Sequence, residues 1–339
     1  MQARLRRFVC VRSRRLTGAW LPLVKLRCLS DSHPSDTVLR SLPERARVLV
    51  IRLRSLGDCV LTTPALELLK RARPDLETAV MVEDRFAQIF EGSPNISAIL
   101  SPSDSAAARW RPALTLNLHG GTRSQILAAA SLAPNRAGFG HHRGAWIYTV
   151  RIPRVQQIFG VEKTMHTAQQ LSSSIFYLGA PMADIPRASL YAFEPRAGAP
   201  YAVIHPVAAA EYKTWRPEGF LAAAERLQQH GLEPVFMGTA ADDLTAFSHH
   251  RLLQGASIRE VKSWLAGASL FLGNDSGPAH MACALGVPVI VLYGRPEHEI
   301  IWAPWKPAAS RTLVSRQGIQ TIPTGDVIAA VDDLAGSVI

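Results

Sequence analysis

Three short turns concentrate the residue types that could do chemistry. The first is Asn274-Asp275-Ser276-Gly277-Pro278, which closes the apolar run LFLG (270–273) and opens a helix-like stretch. Ser276 or Gly277 suits the N-cap, and Pro278 fits the first helical turn, where its missing N–H costs nothing. Backbone N–H groups at such a start, with the helix dipole behind them, form an anion site. A phosphate or diphosphate is the natural occupant. Asp275 would repel that anion if it pointed the same way, so its expected partners are the hydroxyls of a sugar attached to the phosphate. The alternative is that Asp275 and Ser276 only cap the helix. A serine nucleophile elbow is excluded, because it needs Gly two residues to either side of Ser276, where Asn274 and Pro278 stand. Without an elbow, the His119-Gly120-Gly121 turn has no partner for an oxyanion role.

The second turn is Ser55-Leu56-Gly57-Asp58, after the first strand. It lacks the G-x-G-x-x-G fingerprint of dinucleotide binding. Gly57 permits a tight bend, and Asp58 sits at a helix start facing the end of the sheet. Its carboxylate either caps that helix or takes a proton from an acceptor hydroxyl. An ordinary Asp, with a pKa of about 4, is a weak ground-state base. It can still accept a proton late in a transition state, once the hydroxyl has become acidic. The third turn, Glu211-Tyr212-Lys213-Thr214-Trp215-Arg216-Pro217, places a Lys beside a Trp ahead of a helix start. That suits a phosphate contact; the alternative is a solvated Lys next to a packing Trp.

The elements that must position these turns alternate. VLVIRL (48–53) is a short β-branched apolar run of the buried parallel type. VLTTPALELLKRA (60–72) has helical spacing. TAVMV (78–82) and LTLNLH (114–119) read as strands, SQILAAASLA (124–133) as a helix. KTMHTAQQLSSSIFYLG (163–179) reads as a helix that ends at Gly179. Four prolines between 181 and 200 mark a boundary. The pattern then restarts with YAVIH (201–205), a helix over 217–231, PVFMG (234–238), a helix over 258–268 and LFLG (270–273). It continues with a helix over 278–286, the strand PVIVLYG (288–294) and a terminal helix over 324–338. Such alternation in both halves predicts two doubly wound α/β domains, with ligands beyond the carboxyl ends of the strands.

Size and composition agree. At 339 residues with 47% hydrophobic content, the chain is long enough for two cored domains. No apolar run reaches the roughly 18 residues of a membrane-spanning helix. The formal net charge is +10, but residues 1–30 hold eight basic residues and no acid, which leaves +2 for residues 31–339. The body is thus near neutral, and no nucleic-acid groove is inferred. The first 30 residues read as a disordered basic arm suited to anionic lipid, or as a transit-like peptide of the same composition. Cys10, Cys28, Cys59 and Cys283 form no C-x-x-C pair and no zinc spacing, which suits a reduced, cytoplasmic setting.

Taken together, the motifs resemble glycosyltransferase family 9, the ADP-heptose:lipopolysaccharide heptosyltransferases. RVLVIRLRSLGDCVLTTPAL resembles the family's opening strand, S-x-G-D turn and helix. The segment LTLNLHGGTRSQILAAASLAPNRAGFGHHRGAWIYTVRI resembles its middle part. HPVAAAEYKTWRPEGF resembles its lysine–tryptophan–proline segment, and LFLGNDSGPAHMACALGVPVIVLYG its G-N-D-[ST]-G-P-x-H signature. The likeness covers roughly residues 46–310.

The resemblance implies the GT-B fold, two Rossmann-like domains around a cleft. It implies an inverting transfer of heptose from a nucleotide diphosphate, ADP-heptose, to a lipopolysaccharide core or other lipid-linked acceptor. Asp58 would be the general base. Lys213 would hold the donor phosphates, and Asp275, Ser276, Gly277 and His280 would meet the diphosphate and sugar. The acceptor would lie near Ser55, Gly57, Arg123 and Arg143, with Arg136, His141 and His142 close by; the other reading of that basic group is a solvated face. The family often has a Glu after the Gly-containing turn of the second domain. Here Gly238-Thr239-Ala240-Ala241-Asp242-Asp243 offers Asp242 or Asp243 as the nucleoside contact. Arg216 stands where Pro is common.

The expected division is an arm and linker over 1–45, an acceptor domain over 46–190 and a nucleotide-sugar domain over 191–339. Residues 180–200 would be the hinge. No obligatory metal or cofactor is expected, and the chain is read as a cytoplasmic monomer that touches the inner face of the membrane. A nucleotide-sugar epimerase or hydrolase of similar fold, or a non-catalytic nucleotide-sugar binder, are the competing readings.

Overall fold

The computed structural model describes residues 37–336. The expected basic arm over 1–30, the first part of the expected linker and the last three residues lie outside them.

A first parallel sheet contains β1 (Arg47–Ile51), β2 (Glu77–Met81), β3 (Ala98–Leu100), β4 (Leu114–Asn117), β5 (Asn135–Phe139) and β6 (Val150–Ile152), in the order β3-β2-β1-β4-β5-β6. A second parallel sheet contains β7 (Tyr201–His205), β8 (Glu233–Gly238), β9 (Arg251–Gln254), β10 (Leu270–Asn274), β11 (Val289–Tyr293) and β12 (Ser310–Val314), in the order β12-β11-β10-β7-β8-β9. Both have the doubly wound order of Rossmann-like folds, so each reverses direction beside its first strand. Those reversals lie between β1 and β4, and between β7 and β10.

The central strands are apolar on both faces because helices cover both. Val48, Leu49, Val50 and Ile51 are fully buried, as are Leu270, Phe271 and Leu272. In register, Val48 sits between Thr78 and Leu114, and Leu272 between Ile204 and Ile290.

The helices are α1 (Val38–Ser41), α2 (Leu56–Ala72), α3 (Asp104–Trp110), α4 (Thr122–Ala130), α5 (Val155–Phe159), α6 (Thr167–Tyr177), α7 (Pro217–Gln229), α8 (Ile258–Ala266), α9 (Gly277–Ala284), α10 (Pro296–Trp302) and α11 (Thr324–Ala335). Gly179 ends α6 with φ 109°, the conformation that glycine tolerates at a helix end.

Four readings of the sequence need correction. The stretch 38–46 is not a linker: Leu39 and Leu42 are buried, and the Leu39 amide donates to Leu178 at 2.9 Å. Helix α2 starts at Leu56 rather than Val60, because Ser55 forms its N-cap. It also runs through Pro64, which deprives the Val60 carbonyl of its usual donor. The Thr63 hydroxyl supplies one at 2.8 Å. Strands at 98–100, 135–139, 150–152, 251–254 and 310–314 were not expected, nor were the helices α3, α5 and α10. Those strands lie toward the sheet margins, where solvent interrupts the apolar pattern. In β12 Ser310 and Leu313 are half-buried and Arg311, Thr312 and Val314 exposed.

The two sheet units touch at several places. Arg259 pairs with Glu91 at 2.9 Å. The buried Lys262 donates to the Glu91 carbonyl at 3.1 Å. His166 Nε2 bonds the Ala303 carbonyl at 2.7 Å, and the Trp305 indole donates to Pro186 at 2.8 Å.

Candidate active site

The loops after β1, β7 and β10 open on one cavity of about 810 Å³. Each follows a strand at which its sheet reverses, the position where doubly wound folds bind ligands. Ser55, Leu56, Gly57 and Asp58 line it from the first sheet, and Lys213, Asp275, Ser276, Gly277 and His280 from the second.

Asp58 occupies the third position of α2 and partly serves as a cap. Its Oδ2 accepts from the Ser55 amide at 3.3 Å and from the Ser55 hydroxyl at 3.2 Å. Its Oδ1 lies 3.8 Å from a guanidinium nitrogen of Arg52, and the side chain remains 31% exposed toward the cavity. Arg52 is buried and donates through Nε to Thr62 at 3.1 Å, so a fixed cation backs the carboxylate. Capping and facing the cavity are therefore compatible. Arg52 was not singled out in the sequence, although it ends the strand run beside the turn.

On the second-sheet side of the cavity, Lys213 Nζ lies 2.7 Å from Asp275 Oδ2. The Asp275 side chain is only 8% exposed, and His298 Nδ1 approaches the same oxygen at 3.5 Å. Asp275 thus holds the ammonium in place, where the sequence reading aimed it at sugar hydroxyls. Asn274, fully buried, accepts from the Trp215 amide at 3.1 Å and donates to the Pro206 carbonyl at 2.9 Å. It stitches the lysine loop to the end of β10. Trp215 is buried as well, and its indole donates to Ile322 at 3.1 Å. It is the packing Trp of the alternative reading, but its neighbour Lys213 lines the cavity.

Helix α9 starts at Gly277 after the N-cap Ser276, whose Oγ lies 3.1 Å from His205 Nδ1. Burial pushes His205 down to about 4 and also lowers His280, so both imidazoles are neutral near pH 7. Buried His280 finds no partner for its Nδ1 among the described residues. Its ring packs against Gly57, where an added Cβ would meet Cδ2 at 2.7 Å. A Cβ on Gly277 would meet Leu56 Cδ2 at 2.5 Å. The starts of α2 and α9 therefore abut because both glycines lack side chains. Gly57→Ala should cost about 1–3 kcal/mol by overpacking and lower turnover by displacing Asp58. Chemical unfolding and a transfer assay check both, and an unmoved midpoint would count against the contact.

Asp242 lines the cavity, with Oδ2 accepting from the Thr239 amide at 2.6 Å and hydroxyl at 2.8 Å. Asp243 is exposed, caps Thr245 at 2.9 Å and is not part of the cavity wall. Arg123 and Arg143 are exposed and also outside that wall, on the flank of the first sheet. The amides of His119 and Gly120 are taken by Asn117 Oδ1 at 3.0 and 3.2 Å, which explains why that turn offers no oxyanion hole. Tyr212 borders the site from the lysine turn, and His298 and Trp302, which had no recognisable spacing in the sequence, border it from α10. Among the described residues, no group of three or more His, Cys, Asp or Glu could hold a metal ion. Cys59 and Cys283 are both free and buried, and burial pushes each thiol up to about 12.

Two doubly wound parallel sheets meeting at one cavity are the architecture of the GT-B fold. A sequence model of glycosyltransferase family 9 (heptosyltransferase) matches residues 113–325, and the chain belongs to that family. Lipopolysaccharide heptosyltransferase 3 of Escherichia coli K12 is 25% identical over 336 residues, covering 83% of this chain and 96% of that protein. Among solved structures, the family 9 glycosyl transferase of Veillonella parvula aligns with a TM-score of 0.75 at 20% identity, over 87% of this chain and 98% of its own. The E. coli heptosyltransferase WaaC with ADP-2-deoxy-2-fluoro heptose aligns with a TM-score of 0.67 at 18% identity, over 85% and 99%. Among the described residues no helix is long and apolar enough to cross a membrane.

Proposed function

We propose that this enzyme transfers a heptosyl group from ADP-heptose to a saccharide of the lipopolysaccharide core, with inversion at the anomeric carbon. Asp58 takes the proton of the acceptor hydroxyl as its oxygen attacks the anomeric carbon. The bond from that carbon to the β-phosphate oxygen breaks, and ADP departs. Lys213 and the α9 start at Ser276–Gly277 stabilise the charge that grows on the diphosphate, where preorganised electrostatics contributes most. Asp275 is a positioning residue that aims Lys213. His280 borders the sugar, and Asp242 is the nucleoside-side contact.

The observation that carries this reading is that Asp58 from the first sheet and Lys213 from the second line one cavity at the two sheet reversals. The acceptor belongs to residues 46–190 and the donor to 191–339, in a monomer at the inner face of the cytoplasmic membrane that needs no resident metal. The names of the similar proteins support heptose, ADP and lipopolysaccharide over other sugars, bases and acceptors.

The test incubates purified protein with ADP-heptose and a heptose-free lipopolysaccharide core, followed by mass spectrometry. Gain of one heptosyl unit with release of ADP is expected. Free heptose or an isomerised sugar nucleotide without acceptor would replace this reading by hydrolysis or epimerisation. Faster transfer from a GDP- or UDP-sugar would overturn the donor.

A further inference from the structure

We propose that the flank of the first sheet formed by α4 and the Ala145–Ile147 turn is a docking surface for an anionic lipid bilayer. This deepens the reading above, on which it rests for a lipid-linked acceptor, by naming the surface that meets the lipid.

Three large apolar side chains stand in solvent there. Trp146 is 78% exposed, Leu132 78% and Ile126 56%. They share one flank because two sets of bonds tie the chain around this turn to α4 and to the segment that follows it. Gln125 Nε2 donates to the Arg143 carbonyl at 2.5 Å. Arg136 bridges the Ile147 carbonyl at 3.1 Å and the Ala133 carbonyl at 2.7 Å. Trp146 therefore lies alongside α4, between the levels of residues 125 and 133. The opposite face of α4, with Ser124, Leu127 and Ala128, is buried, so the exposed side is unpartnered.

Charge complements this apolar row. No Asp or Glu occurs between Asp104 and Glu162, a stretch that carries seven arginines. Arg123 on α4 and Arg143 three residues before Trp146 are both exposed. A near-neutral total for the whole body conceals this acid-free stretch. Trp at an apolar–aqueous boundary, flanked by arginines, fits the interfacial zone of an acidic membrane. One Trp with two aliphatic side chains inserts into lipid better than it stacks nucleobases. Helix α4 also starts at the carboxyl end of β4, the end of the sheet that carries Asp58. A bilayer on this flank brings a lipid-anchored sugar to the cavity without extracting its lipid.

The full-length chain and its Ile126→Ser/Leu132→Ser/Trp146→Ser variant are sedimented with vesicles of phosphatidylcholine alone, and of an equimolar mixture with phosphatidylglycerol. Wild type should bind only the mixture, and the variant should lose about tenfold or more of that affinity. Its unfolding midpoint and its transfer to a delipidated core acceptor should not change. Quenching of Trp fluorescence by brominated acyl chains should fall in Trp146→Phe. Equal vesicle binding by wild type and triple variant overturns the proposal and assigns lipid contact to the basic first 30 residues. So does a wild-type dimer that the same substitutions dissociate, or duplex DNA binding that they abolish while vesicle binding persists. Failure of heptosyl transfer to every acceptor, with vesicle binding intact, would instead strike the enzymatic reading.

Discussion

Replacing Asp58 with Asn should cut the turnover of heptosyl transfer by about 10²–10⁴-fold, the range typical of a general base. Affinity for ADP should hardly change, because the proposed diphosphate contacts, Lys213 and Ser276–Gly277, come from the second sheet. Asn is chosen over Ala for a physical reason. Asp58 also accepts from the Ser55 amide and hydroxyl at the start of α2, and an amide oxygen can keep those bonds. What Asn removes is the negative charge 3.8 Å from buried Arg52, together with the ability to take a proton. A modest loss of stability is therefore expected, with the helix start intact by circular dichroism. Steady-state transfer at saturating donor, with ADP binding by calorimetry, separates these effects. Turnover within twofold of wild type would remove Asp58 as the base.

Lys213→Met should lower kcat/KM by about 10²–10³-fold, comparable to deleting one donor from an oxyanion site. It should also destabilise the fold by about 1–3 kcal/mol, because the Asp275 carboxylate is left nearly buried with its main cation gone. The cost is held down by His298, whose Nδ1 lies 3.5 Å from the same oxygen. Adding Asp275→Asn in the double variant should restore much of the stability and none of the catalysis. That split distinguishes a cation acting on the departing diphosphate from one kept only to neutralise Asp275. Unchanged ADP affinity and turnover in Lys213→Met would refute the phosphate role.

These pairings mark the limit of what the sequence discloses. The central strands were legible because VLVIR and LFLG are buried on both faces, and the turns after them because Gly57 and Pro278 have strong local signals. Spacing alone brings Asp58, Lys213 and Asp275 to strand ends but says nothing about which side chains pair. Asp275 turned to Lys213 because a nearly buried carboxylate beside an ammonium gains more than one aimed at a site for anions. Arg52 was missed because it looks like a strand residue, and Asn274 was named only as part of its turn; their partners, Asp58 and Trp215, come from other elements. The margin strands β5, β9 and β12 lack an apolar run, so only their pairing with a neighbour defines them. The seven arginines without an acid in 105–161 were readable from the start, yet a net charge taken over the whole body averaged them away.

The abutting helix starts have a mechanical consequence. Leu56 and Gly57 bear directly on Gly277 and His280, within a residue or two of the groups that react. Were the lobes to rock about that contact, Asp58 and the start of α9 would have short lever arms. The outer rims would then sweep widely while the proposed base and the proposed diphosphate site kept their separation. On the mechanism proposed above, substrate would enter and the nucleotide depart with that alignment preserved.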